Sequence, residues 1–131
     1  MPLDPASVEK MAHEITGAWN SGSADAVASF YADDAEVVIN RGEPWRNRDG
    51  IVALAEGFFA DVGDLILTFD DIRISGHHAI YVWTFAGRHS GSGNALNVRG
   101  WEEWELTDDL KVKSSRGWFD ADTYARQVEG G

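Results

Sequence analysis

The chain has 131 residues, about the size of one ordinary domain. It carries 11 Lys and Arg against 22 Asp and Glu, a formal net charge of -11, with six Trp and no Cys. That balance argues against nucleic acid and anionic membrane surfaces, which need a basic footprint; without Cys there is no disulfide framework, thiol nucleophile or Cys-ligated metal. The start, Met1-Pro2-Leu3-Asp4-Pro5, has neither the basic nor the apolar stretch of a secretory signal. No apolar run approaches the roughly 18–20 residues of a membrane span, so the cytoplasm is the expected compartment.

In chain order, Asp4 and Pro5 open a helix with a capping carboxylate and a preset φ. Val8, Met11, Ala12, Ile15, Ala18 and Trp19 recur at helical spacing and form its apolar stripe. Ser21-Gly22-Ser23 ends it, and a short second helix carries Val27, Phe30 and Tyr31. Glu36 to Asn40 reads as a strand, and Arg41-Gly42-Glu43-Pro44 as a turn. Asn47 is placed to cap a third helix with Ile51, Leu54, Ala55 and Phe58 on one face. Four strands follow: Leu65 to Ile74 with a bulge at Asp70-Asp71, Ala79 to Arg88, Ala95 to Leu106 and Lys111 to Phe119. Asp120 caps a closing helix with Tyr124 and Val128. Helices first and a strand meander later argue for an α+β fold with helices on one sheet face. Nothing divides the chain, so one domain over 1–131 is expected.

Ala18-Trp19-Asn20-Ser21-Gly22 and Tyr31-Ala32-Asp33-Asp34-Ala35 resemble the opening of SnoaL-like proteins of the nuclear transport factor 2-like superfamily. That superfamily includes ketosteroid isomerases, limonene epoxide hydrolases and polyketide cyclases. Arg48-Asp49-Gly50-Ile51 resembles its third-helix start, with Asn47 where Gly is usual. Phe119-Asp120, Tyr124 and Gln127 resemble its closing segment. The resemblance covers nearly the whole chain. It implies a cone-shaped fold, in which a curved, mostly antiparallel sheet is wrapped by N-terminal helices around an apolar pocket. It also implies a homodimer across the outer sheet face. Function does not follow, because unrelated chemistries share the fold.

Glu102 is the leading catalytic candidate. Ideal alternation puts Leu96, Val98, Gly100, Glu102, Trp104 and Leu106 on one strand face, apolar except for the carboxylate. Desolvation there raises its pKa, which suits a general acid or base. The resemblance places it where ketosteroid isomerases hold an acidic hydrogen-bond donor. The competing reading is a Glu satisfied by a neighbour, or turned outward by a bulge. The resemblance also shows departures. The isomerases' tyrosine falls near Ile15 and their base aspartate near Ile39, beside Asn40. The last-strand aspartate of epoxide hydrolases falls at Gly117. Steroid isomerisation by that machinery is therefore not expected.

Asn40 and His89 are the other polar candidates. His89 lies near a strand end between Gly87 and Gly91, in phase with Trp83 and Phe85 and away from Glu102 unless Gly87 bulges the strand. His77 and His78 share a turn and point apart, and no metal-ligand spacing occurs, so neither a metal nor a cofactor is expected. Asp33-Asp34, Asp70-Asp71 and Asp108-Asp109 read as turn and bulge chemistry. Arg41 and Arg46 bracket a loop with Trp45 that is a candidate lid.

The pocket is expected to be shaped by Ile15, Trp19, Ile39, Phe58, Val82, Thr84, Trp104, Gly117 and Phe119. Trp83 and Phe85, with Trp101 and Trp118 on neighbouring strands, read as a band of exposed aromatics and hence the homodimer surface. The expected function is a cofactor-independent acid–base enzyme of isomerase, lyase or cyclase type acting on a hydrophobic small molecule. The alternatives are a non-catalytic small-ligand binding protein and a dimeric assembly domain.

Overall fold

The computed structural model describes residues 3–130; Met1, Pro2 and Gly131, which the expected domain includes, lie outside the described residues. Helix α1 (Pro5–Asn20) starts where Asp4 accepts the Ala6 amide at 3.2 Å. Its stripe of Val8, Met11, Ala12, Ile15 and Ala18 is buried. Helix α2 (Ala24–Ala28) is capped by Ser23, which accepts from Ala26 at 3.2 Å. It stops at Ala28, before Phe30 and Tyr31, which were expected on it. Tyr31 instead opens strand β1 (Tyr31–Ile39), longer at its start than expected.

A two-residue strand, β2 (Trp45–Arg46), pairs with β1 and was not foreseen; it lies where a loop was expected. Helix α3 (Asn47–Asp61) follows, but Asn47 does not cap it. Arg46 holds the cap position with no side-chain bond, and Asn47 takes a positive φ of 63°, a conformation that Asn tolerates. Strands β3 (Val62–Ser75), β4 (His78–His89), β5 (Ala95–Leu106) and β6 (Val112–Phe119) form the rest of the sheet. Asp120 caps α4 (Ala121–Val128) through the Asp122 and Thr123 amides.

The six strands run in the order β2-β1-β6-β5-β4-β3, antiparallel except for the β1–β6 pair. This is the α+β arrangement expected. The register of β3 shifts between Phe69 and Asp71, at the anticipated bulge, and between Gly63 and Ile66. Such bulges bend a sheet and increase its twist. Helix α1 packs against β3 and α3 against β1, so the concave face is roofed by helices. No helix among the described residues is long and apolar enough to cross a membrane.

The register of β4 overturns one expectation. Tyr81 pairs with Glu102, Trp83 with Gly100 and Phe85 with Val98. Paired residues share a face, so the aromatic row of β4 points inward with Glu102. Tyr81, Trp83 and Phe85 are 1%, 7% and 3% exposed. Val82 pairs with Trp101 and Thr84 with Arg99, so these two lie on the outer face rather than in the pocket. Both faces of β4 carry apolar residues, and alternation within one strand cannot choose between them. Trp83 and Phe85 therefore leave the expected partner surface, while Trp101 and Trp118, paired across β5 and β6, remain on the outer face.

Candidate active site

Between the concave face and the helices lies a narrow, open-mouthed cavity, about 60 Å³ of it open to the centre of a water-sized molecule. Six aromatics line it: Trp19 from α1, Tyr31 from β1, Phe58 from α3, Trp83 and Phe85 from β4, and Phe119 from β6. They brace one another. Trp19 meets Phe58 edge-on at 5.9 Å, and Phe85 meets Phe58 at 6.3 Å and Phe119 at 6.4 Å. Val37, Ile39, Leu54, Leu65 and Leu67 add aliphatic wall. Gly117 faces Glu102, and a Cβ there would lie 3.6 Å from the Glu102 Cγ.

Glu102, half-buried, is the acid of this wall. Its Oε1 accepts the Trp104 indole N–H at 2.9 Å and the Ser115 hydroxyl at 3.1 Å. Burial pushes its pKa up, and the bonds from Trp104 and Ser115, with the N–H of the nearby Trp83 indole, pull against that rise. Because Oε1 already accepts two donors, a proton taken up by Glu102 goes to Oε2. Oε2 has no hydrogen-bond partner among the described residues. Neutral Glu102 therefore offers an acidic O–H, and ionised Glu102 a basic oxygen, at one defined atom.

The carboxylate is held from behind. Trp104 is 1% exposed and stacks on Tyr81 with ring centroids 4.8 Å apart. The Tyr81 hydroxyl bonds Thr16, whose own hydroxyl donates to the Ala12 carbonyl at 2.8 Å. Trp104, expected in the pocket, is thus a support of the acid and not part of the cavity lining. Ile15, also 1% exposed, is core.

The remaining candidates disperse. The Asn40 side chain accepts the Phe119 amide at 3.0 Å and its backbone N–H donates to the Gly117 carbonyl, so it fastens β1 to β6 and does not line the cavity. His89 is in phase with Glu102, contrary to expectation, but sits at the end of β4 beside Tyr124 and outside the lining. Its Nδ1 accepts the Ser92 amide at 3.1 Å. Trp19, Ile39, Phe58, Gly117 and Phe119 do line the cavity, as Glu102 does.

Of the eight lining residues outside the expected set, Tyr31, Trp83 and Ser115 carry polar side-chain atoms. Tyr31 was assigned to a helix; its burial and its proximity to Glu102 and Tyr81 raise its phenol pKa. Trp83 was assigned to the wrong face. Among the described residues, no three His, Asp or Glu gather as a metal site requires.

The model of the SnoaL-like domain family matches residues 12–114. No curated protein matches the chain. Among solved structures, TsrD from Streptomyces laurentii is 25% identical, with a TM-score of 0.84 over 96% of this chain and 97% of its own. A protein of ketosteroid isomerase-like fold from Catenulispora acidiphila, solved in complex with trimethylamine, is 15% identical, with a TM-score of 0.84 over 92% of each chain. SalBIII, an epoxide hydrolase/cyclase-like enzyme of pyran ring formation in salinomycin, is 11% identical, with a TM-score of 0.82 over 92% and 95%. The fold is the one that these structures share.

Proposed function

The chain belongs to the SnoaL-like domain family, and on that premise we propose that it is a cofactor-independent acid–base enzyme of isomerase, lyase or cyclase type. Its substrate is a hydrophobic small molecule. The observation that carries this reading is a single carboxyl with one free oxygen in an otherwise apolar, aromatic cavity. Burying a carboxyl there is costly, and a raised pKa brings it toward the range where it can both take and give a proton. Ionised Glu102 takes a proton from carbon at Oε2 and returns it to another atom of the substrate, ending unchanged. The surrounding apolar wall excludes water and holds the substrate body.

The test uses 1-tetralone, an apolar ketone, as a general probe. The wild type is expected to accelerate exchange of its α-hydrogens with deuterium oxide. Glu102→Gln should lower that rate by about 10²–10⁴-fold while the fold is retained. Binding without accelerated exchange would favour the non-catalytic ligand-binding reading.

Two large apolar residues stand exposed on the outer sheet face, Ile66 at 60% and Trp101 at 44%. They support a homodimer through that face, with Trp118 beside Trp101. Mixed charges around them, Arg99, Glu103 and Arg116, suit a self-complementary contact. Trp101→Lys should convert a dimer to monomer in light scattering after size exclusion; a wild-type monomer removes this reading.

A further inference from the structure

The indole N–H of Trp83 is the one buried side-chain polar atom, among the described residues, without a hydrogen-bond partner. Leaving such a donor unpaired costs roughly as much as several ordinary hydrogen bonds contribute. The residue is more than nine-tenths buried, yet it belongs to the cavity wall. Its N–H bears on the Glu102 carboxyl and pulls the pKa of that group down, without making a hydrogen bond to it. Its placement is rigid. The far edge of the ring rests against Gly100, where a Cβ would fall 2.6 Å from the Trp83 Cη2, so only glycine leaves the ring its position. The Phe85 ring packs near it, with centroids 5.8 Å apart. An indole N–H can only donate, so what it lacks is an acceptor.

We propose that Trp83 is a ligand-positioning residue whose indole N–H donates to an uncharged carbonyl oxygen of the ligand and so turns the carbon next to that carbonyl toward the free Oε2 of Glu102. The ligand class follows from the rest of the wall. The acceptor is not an anion: the lining holds no Lys, Arg or His, its one carboxyl repels negative charge, and the protein as a whole carries -11. The ligand body is apolar and flat enough to lie among Trp19, Phe58, Phe85 and Phe119. A carbonyl oxygen on Trp83 is polarised by the donor, and the carbons next to that carbonyl are then brought near Glu102. This rests on the acid–base reading of Glu102 and names the substrate class for that same site.

The experiment compares 1-tetralone with tetralin, the same bicycle without the oxygen, and with tetralin-1-carboxylate. The wild type is expected to bind tetralone roughly tenfold more tightly than tetralin and to bind the carboxylate most weakly. In nitrogen-15 spectra the Trp83 indole N–H resonance should move downfield with tetralone and not with tetralin. Trp83→Phe keeps an aromatic ring without the donor and should bind both neutral probes equally. Should that variant fail to fold, the wild-type resonance decides alone.

Equal affinity for tetralone and tetralin, a preference that survives in Trp83→Phe, a stationary indole resonance, best binding of the carboxylate, or no binding at all would each overturn the proposal. Glu102→Gln keeps the Trp83 donor and should keep the tetralone preference while losing proton exchange. The failure of one reading is thus distinguishable from the failure of the other.

Discussion

Strand β5 carries Glu102, Glu103 and Glu105 within four residues, and the two faces of the sheet treat them differently. On the concave face Glu102 meets two hydrogen-bond donors and an apolar wall, and burial raises its pKa. On the convex face Glu103 accepts the Trp118 indole N–H at 3.2 Å in an exposed setting. Glu105 faces Lys113 at 3.8 Å, also exposed. The residue type is the same, and so is the strand. What separates a candidate catalytic acid from surface charge is the parity of its position, because alternation sends successive side chains to opposite faces. Substitutions on each face test that difference.

The largest stability effect is expected at an inner-face glycine. A Cβ at Gly100 would strike the backbone carbonyl of Trp118 on the neighbouring strand and the ring of Trp83. Neither can retreat cheaply, because the carbonyl belongs to the sheet and the ring is packed. Gly100→Ala should cost about 3 kcal/mol, the upper end of overpacking, in urea unfolding. Gly117, on the same face, has room for a Cβ at ordinary contact distance. A loss at Gly100 no larger than that of an outer-face substitution would contradict the packing of the concave wall.

Next in size is a pH effect. The Glu102 pKa is raised in the folded state by desolvation, so the folded protein holds this proton to higher pH than the unfolded chain does. The associated stability is full below the unfolded value and is lost as pH rises through the folded value. Each pKa unit of the rise is worth about 1.4 kcal/mol. Asp108, lowered by its bond to His77, and Asp120, lowered by the Thr123 amide, act oppositely, losing stability as pH falls. The difference between wild type and Glu102→Gln isolates the inner carboxyl. The variant should gain on the wild type as pH rises from about 4, with both melted at each pH. A difference independent of pH would return Glu102 to the status of its exposed neighbours.

Much of this geometry was legible in the sequence. Glu102 stands out in the sequence because the other face of β5 is marked by Asn97, Arg99, Glu103 and Glu105, and a bulge that would turn it outward is the competing reading. The capping residues Asp4, Ser23 and Asp120 and the bulge near Asp70 follow from local chemistry. Strand β4 gave no such mark. Ala79, Tyr81, Trp83 and Phe85 alternate with Ile80, Val82, Thr84 and Ala86, apolar against nearly apolar. Its phase is set by pairing with β5, a contact remote in sequence. Trp83 and Val82 were exchanged for that reason, and the unpaired indole went unseen. Tyr31 was lost differently. The chain passes from α2 to β1 within Ser29 and Phe30, too short a step for periodicity to register. Asn40 and His89 are polar residues close to the site in sequence terms, but their hydrogen bonds are spent on the backbone of neighbouring turns and strands.

The smallest expected effect lies on the convex face and is the control for the comparison. Lys113 and Glu105 approach at 3.8 Å, with side chains 56% and 47% exposed. Water and salt screen a pair so open, and two flexible side chains must be ordered to make it. Lys113→Ala should therefore change stability by less than about 0.5 kcal/mol, and the change should shrink further in high salt. The same measurement on Ser115→Ala removes one donor to the inner carboxylate, from a side chain only 1% exposed. That loss should be larger, about 1–3 kcal/mol at a pH where Glu102 is ionised. It should also shrink at low pH, because a protonated Glu102 has less need of the donor. If the two substitutions cost the same and respond alike to pH and salt, Glu102 is solvated in practice and the distinction between the faces fails.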